Sequence, residues 1–360
     1  MRSSISNSKF NRIRNALIVF GITFAICAVM GLAFQQRHPS EAWKGTLPAV
    51  DPNDNYLVME AYNDQAFDLY QLYYGIGDSI QAAQKADVLI LGNSKPFFAF
   101  RNEAVKAFTQ KTGIRVFNLA GSYGDNLALA KAFIHQYHLS PKILVINENH
   151  FFSTALSPYG KETIEMGYWQ ALVKTMEHHL SWFIRFHLHQ VFPRFALGKI
   201  YGSTPVVEYR STRTGCLALE NFMQDYAESL VPVAHQRVTE ETLTPTELKI
   251  ALEFKKEMAA QGTQIILTSV PYGTDDMDHL DQWVRDPERR ILVAKAEEPY
   301  EKVDVTAKTL ALPLITVDST GMVTFDGRHL DEASALRFTH LFFDKFLKSS
   351  EAELLLKAKP

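Results

Sequence analysis

Five short apolar runs punctuate the chain, and each ends in small or polar residues: DVLILGNS (87–94), IRVFNLAGS (114–122), KILVINENH (142–150), TQIILTSVP (263–271) and LPLITVD (312–318). Continuous apolar runs between segments of helical spacing predict strands of a parallel sheet buried on both faces. NLALAKAFIHQYH (126–138) and TPTELKIALEFKKEMAAQG (244–262) carry helical spacing, and the second opens on Thr244-Pro245 and stops at Gly262. An aromatic-rich stretch over 61–84 predicts a helix leading into the domain. Strands alternating with helices predict an α/β fold, a three-layer sandwich around a mostly parallel sheet with right-handed crossovers. Residues 153–243 break the alternation and are too long for a simple crossover. They predict a mostly helical insertion, which either shapes substrate access or is a structural elaboration.

The longest apolar pattern is ALIVFGITFAICAVMGLAF, nineteen uncharged residues at 16–34. At about 1.5 Å per residue such a helix spans a hydrocarbon core of roughly 30 Å. Arg2, Lys9, Arg12 and Arg14 precede it, and Arg37 and Lys44 follow more sparsely. The positive-inside rule then predicts a cytoplasmic N-terminus (1–15), a single-pass anchor in the cytoplasmic membrane (16–34) and an extracytoplasmic or periplasmic remainder. A cleaved signal peptide and a buried helix are the competing readings, though the run is long for a signal and no A-x-A site follows it. A linker is expected at 35–60, where Pro, Gly, Asp and Asn interrupt any period. The α/β domain then covers 61–350, with 351–360 as a C-terminal tail.

Composition changes little in this picture. The 360 residues are 46% hydrophobic and 21% charged, an ordinary globular balance. A net charge of −3 offers no basic surface for nucleic acid. Cys27 lies in the apolar tract and Cys216 far from it, so the core rather than a disulfide holds the fold.

Ligands of open parallel sheets gather at the carboxyl ends of the strands. Those ends supply Gly92-Asn93-Ser94, Asn118-Leu119-Ala120-Gly121-Ser122 and Asn147-Glu148-Asn149-His150, and the loop after the fifth run carries Asp326 and His329. A serine hydroxyl becomes a useful nucleophile once a base takes its proton. His329 is the candidate base and Asp326 the group that orients it. The backbone N–H groups of Ser94 and Gly121 and the Asn149 side chain are candidate oxyanion donors. Each residue also has a plainer reading: Ser94 as a helix cap, Asp326 as a turn residue, His329 as a helix N-terminal residue, Gly121 as a turn glycine, Asn149 as a loop side chain.

These residues resemble the blocks of the SGNH (GDSL-like) hydrolases and acyltransferases. DVLILGNS is similar to their first block, with Asn93 where aspartate is usual. FNLAGSYG is similar to the second, Gly121 matching its glycine. VINENH lines up with the third, Asn149 on the family's asparagine, Asn147 in place of its glycine and His150 in place of its aspartate. FDGRHLDEASALRF (325–338) matches the fifth, Asp-x-x-His-Leu leading into a helix. The resemblance covers 86–152 and 262–347. It implies a flavodoxin-like sheet, a serine esterase or O-acyltransferase without cofactor, and catalysis by Ser94, Asp326 and His329. Anchored members often modify cell-surface polysaccharide, which implies a cell-envelope glycan or acyl ester as substrate. A membrane-bound acyltransferase partner is implied for the transfer direction.

Other features stay open at this level. Arg210 and Arg213 in YRSTRTG (209–215) either bind an acidic or sugar substrate or belong to a solvated loop, and His150 lines either a pocket or packing. Trp182, Phe183, Arg185 and Phe186 fit a packed helix or an interfacial one. His178, His179, His187 and His189 complete no set of metal ligands, so no metal is expected. Asp275, Asp276 and Asp278 read as a carboxylate site or a solvated loop. Two rival functions remain: an anchored lipid or small-ester hydrolase, and a non-catalytic glycan-binding or assembly protein with Asn93 and the altered third block as signs of decay.

Overall fold

A computed structural model of the chain describes residues 54, 56–60, 67–121, 126–148, 151–153, 155–177, 207–220, 243–272, 283–285, 292–295, 300–324 and 329–357. Five parallel strands form the central sheet: β2 (Val88–Leu91), β3 (Val116–Asn118), β4 (Ile143–Asn147), β7 (Gln264–Thr268) and β10 (Leu314–Ile315). They lie in the order β10-β7-β4-β2-β3. Each comes from one of the five apolar runs, and each stops where the run turns polar. Because β3 and β4 flank β2 on opposite sides, the connections leaving the ends of β2 and β4 diverge. That divergence opens a crevice at the carboxyl edge, the usual ligand position in such sheets.

Alternate residues of the strands feed two separate cores, as a period of two requires. Leu89, Leu91, Phe117, Leu144, Ile146, Ile265 and Leu267 face one layer. That layer is built from α1 (Phe67–Tyr73), α2 (Ser79–Gln84), α5 (Leu127–Tyr137), α8 (Pro245–Ala260) and α9 (Tyr300–Leu310). Val88, Ile90, Val116, Ile143, Val145, Ile266 and Ile315 face the other. Its helices are α3 (Ser94–Ala99), α4 (Asn102–Thr112), α10 (Glu332–Phe346) and α11 (Ser350–Lys357). In α10, Phe338, Phe342 and Phe346 recur every fourth residue on one face. Phe342 meets Phe100 edge-on at 5.0 Å, and Phe343 stacks on Phe108 at 4.1 Å. Each such fully buried side chain contributes about 1.5–3 kcal/mol. The three-layer α/β expectation is therefore met in the described residues.

Several boundaries differ from expectation. The described part of the 61–84 stretch, from 67, holds two helices rather than one, because Gly75 and Gly77 take φ of 63° and 99° between them. The expected linker contains a strand, β1 (Tyr56–Glu60), paired antiparallel with β5 (Val207–Ser211) inside the expected insertion. The described part of the 153–243 interval is thus mixed: it has α6 (Pro158–Met166) and a helix over 168–177, α7, but also β5 and β6 (Leu217–Glu220). Asp54, just before β1, is buried and accepts from Ser211 Oγ at 2.6 Å while pairing with Lys106 Nζ at 2.8 Å. A second small antiparallel sheet, β8 (Trp283–Arg285), β9 (Leu292–Lys295) and β11 (Val323–Thr324), had no clear signal in the sequence. The expected C-terminal tail is helix α11, whose Ala352 and Leu355 are buried in the α10 layer. The apolar tract 16–34 lies outside the described residues, among which no helix is long and apolar enough to cross a membrane.

Candidate active site

The chain leaves β2 through Gly92, whose φ of 145° is a conformation that side-chain-bearing residues avoid. A Cβ there would also lie 2.7 Å from Pro96 Cγ and 3.1 Å from Asn147 Cβ. Asn93 follows as the N-cap of α3: its side-chain oxygen accepts from the Lys95 N–H at 3.0 Å. The capping work expected of Ser94 under its plainer reading therefore falls to Asn93. Ser94 becomes the first helical residue, and its hydroxyl is left to point elsewhere. Its own N–H sits in the first turn, where no intrahelical acceptor exists.

The Ser94 hydroxyl meets His329. Ser94 Oγ and His329 Nε2 are 2.8 Å apart, although 235 residues separate them in sequence. The imidazole lies against the Phe98 ring at 4.5 Å between centroids. Phe98 stands four residues after Ser94 on α3, so one turn of helix carries both the hydroxyl and the ring that braces its partner. The chain just after His329 is fixed as well. Leu330 is buried and bridges to Thr324, and the Asp331 N–H donates to the Val323 carbonyl at 3.1 Å. Asp331 then caps α10 by accepting from the Ser334 N–H at 2.8 Å.

A serine hydroxyl in hydrogen-bond contact with an imidazole, at the carboxyl edge of a parallel sheet, is the geometry that a nucleophile–base pair requires. A solved structure of a GDSL-like lipase from Bacteroides thetaiotaomicron is similar to this chain. The identity is 14%, the match covers 78% of this chain and 98% of that one, and the TM-score is 0.31. No protein-family model and no curated protein matches the chain.

The loop after β3 folds over the end of β2. The Leu119 N–H donates to the Ile90 carbonyl at 2.8 Å, and the Gly121 N–H to the Gly92 carbonyl at 3.3 Å. Gly121 thus reaches the serine's neighbourhood, but its N–H is held by Gly92 in a long hydrogen bond rather than left open. Asn118 secures the loop: its amide nitrogen donates to the Pro96 carbonyl at 3.1 Å and its side-chain oxygen accepts from the Ala120 N–H at 3.0 Å.

Arg210 corrects a sequence expectation. It was a candidate for substrate binding, yet its exposure is 0%. Its guanidinium donates to the carbonyls of Gly215 at 2.7 Å, Asn118 at 2.6 Å and Ala120 at 2.8 Å. A planar fork of donors suits that set of backbone acceptors. The β5–β6 hairpin thereby clamps the β3 loop that carries Gly121, and Arg210 supports the site from behind. Gly215 permits the approach: at φ 64°, a Cβ would fall 2.1 Å from the Asn118 carbonyl oxygen. Arg213 is exposed on the turn of the same hairpin.

Asp326, Asn149 and His150 lie outside the described residues, as do His178, His179, His187, His189 and Asp275, Asp276 and Asp278. No group of acidic, histidine or cysteine side chains able to hold a metal occurs among the described residues. Phe98 escaped the sequence reading, and Asn118 and Asn147 were placed at strand ends there without a role. The helical spacing from Ser94 was a signal for Phe98. Asn147 ends β4 beside Gly92, 1% exposed. Its side-chain oxygen accepts from the Val270 N–H at 2.9 Å, while its Nδ2 has no hydrogen-bond partner among the described residues. Across the same edge, Lys95 Nζ lies 3.2 Å from the centre of the Tyr272 ring.

Proposed function

We propose that the chain is a serine acyl-transfer enzyme of the SGNH type, anchored in the cytoplasmic membrane with its α/β domain outside it. The substrate we assign is an O-acyl group, foremost acetyl, on a cell-envelope polysaccharide. The observation that carries the chemistry is the 2.8 Å contact between Ser94 Oγ and His329 Nε2. The anchor rests on the apolar tract 16–34 and the basic residues before it. The glycan rests on the resemblance to anchored family members.

In the reaction, Ser94 Oγ attacks the ester carbonyl carbon as its proton passes to His329 Nε2. The tetrahedral intermediate places its oxyanion near the Ser94 N–H at the start of α3. A donor so placed is typically worth about 2.7–4 kcal/mol of transition-state stabilisation. A second donor from Gly121 requires its N–H to exchange the long bond to Gly92 for the stronger, charged acceptor. Collapse expels the alcohol, which takes the proton from His329, and leaves acyl-Ser94. An incoming water or sugar hydroxyl gives its proton to His329 and attacks the acyl carbon; the second tetrahedral intermediate then collapses, releasing the acyl product as Ser94 Oγ takes the proton back from His329. Asp326, by the resemblance, holds the imidazolium; water as acceptor makes the enzyme an esterase, a sugar makes it an O-acyltransferase.

The test is a fluorophosphonate probe on the full chain, with the adduct located by mass spectrometry. An adduct on Ser94 is expected, lost in Ser94→Ala and reduced by orders of magnitude in His329→Ala. A folded protein that takes no adduct at Ser94 sinks the catalytic reading in favour of a binding scaffold.

A further inference from the structure

Half of the eight large apolar side chains that stand exposed among the described residues are on one helix, α7. Tyr168 is 48% exposed, Trp169 76%, Val173 62% and Met176 63%. Trp169, Val173 and Met176 recur at i, i+4 and i+7, which places them along one stripe. The opposite side of α7 is used: Ala171 is buried with Tyr70 and Met166, and the Thr175 hydroxyl donates to the Ala171 carbonyl at 2.8 Å. The stripe is therefore an outer face of a helix that is already seated. Apolar residues at the same spacing continue in the sequence at Leu180, Phe183 and Ile184. From residue 178 to 207 there is no acidic residue, while Arg185, Arg194 and Lys199 are present.

We infer that the exposed face of α7 rests on the lipid bilayer, as a second membrane contact beside the N-terminal anchor. A tryptophan–tyrosine pair with aliphatic neighbours is the composition favoured at the headgroup level. The acid-free, basic stretch that follows complements anionic headgroups. A second copy of the chain would present the same cationic stretch to itself, which disfavours it as the occupant. The inference rests on the anchored reading and deepens it. An anchor alone leaves the domain free to tumble on its linker, whereas an anchor and a docked helix hold one orientation against the bilayer. The esters within reach are then those close to the membrane surface.

The full-length chain, carrying Cys27→Ser, is reconstituted into phosphatidylethanolamine–phosphatidylglycerol vesicles with a nitroxide on a single introduced cysteine. Val173→Cys probes the face, Val305→Cys on α9 (43% exposed) serves as the aqueous control, and Val19→Cys reports on the anchor. The expected result is a ratio of oxygen to water-soluble nickel-chelate collisions several-fold higher at 173 than at 305. A label at 173 as aqueous as that at 305, with 19 in lipid, overturns this inference and leaves the anchor standing. Dipolar broadening at 173 that dilution with unlabelled chain removes assigns the face to a second copy and likewise overturns it. Labels at 19 and 173 both in water overturn the inference together with the anchored reading.

Discussion

Two neighbouring residues make Ser94 available. Gly92 supplies a backbone conformation and a space that no other residue fits, and Asn93 supplies the cap. Gly92→Ala is expected to abolish probe labelling of Ser94 and to lower the midpoint of thermal unfolding, since a Cβ 2.7 Å from Pro96 must displace α3. Asn93→Ala should cost about 0.5–2 kcal/mol of stability, the usual worth of a cap. Asn93→Asp should retain most of it, because aspartate caps equally well; denaturant unfolding of both variants checks this. Cys216 shows the opposite kind of environment. Burial pushes its thiol up to about 12, against the weaker pull of the Thr214 hydrogen bond and the Arg210 charge. It should stay unmodified by iodoacetamide at pH 8 in the native protein and react on unfolding, as read by peptide mass spectrometry.

Two capped helices differ in their distance along the chain from the Ser94–His329 contact. Thr244 and Glu247 form a capping box at the start of α8, on the layer away from the serine. Asp331 caps α10 two residues after His329. Thr244→Ala and Asp331→Ala should each cost about 0.5–2 kcal/mol. Activity on an aryl acetate ester separates them: Asp331→Ala should lower kcat several-fold, and Thr244→Ala should leave it unchanged. Equal kcat in the two variants would show that the α10 cap does not position the imidazole. The same scale explains what was legible early. Thr244-Pro245 and Gly262 are local signals, and α8 (Pro245–Ala260) forms between them. The 61–84 helix divided because Gly75 and Gly77 outweighed an otherwise helical stretch.

At the scale of the molecule, Ser94 and His329 are brought together across the sheet, and the loop after β3 is clamped by a hairpin from the insertion. Arg210→Leu should remove donors from three buried carbonyls at once. At about 1–3 kcal/mol for each group left unsatisfied, the variant should unfold at markedly lower denaturant or fail to accumulate. Arg213→Leu, on the exposed turn, should do neither. An insertion read as a possible substrate-access element thus contains a structural brace.

The five parallel strands, the α/β layering and the candidates Ser94 and His329 were in the sequence, because apolar runs and helical periods are local signals and the blocks around the two residues resemble known ones. Three things were decided only by the tertiary structure. Arg210 is buried because the chain brings three carbonyls to it from residues as far as 92 positions away, which no local pattern records. Strand β1 exists because β5 is there to pair with it, as an isolated strand has no partner for its backbone groups. The Ser94–His329 contact forms because the parallel sheet puts the carboxyl ends of its strands on one edge and so brings the chain after β10 back to the end of β2, which is a property of the assembled sheet.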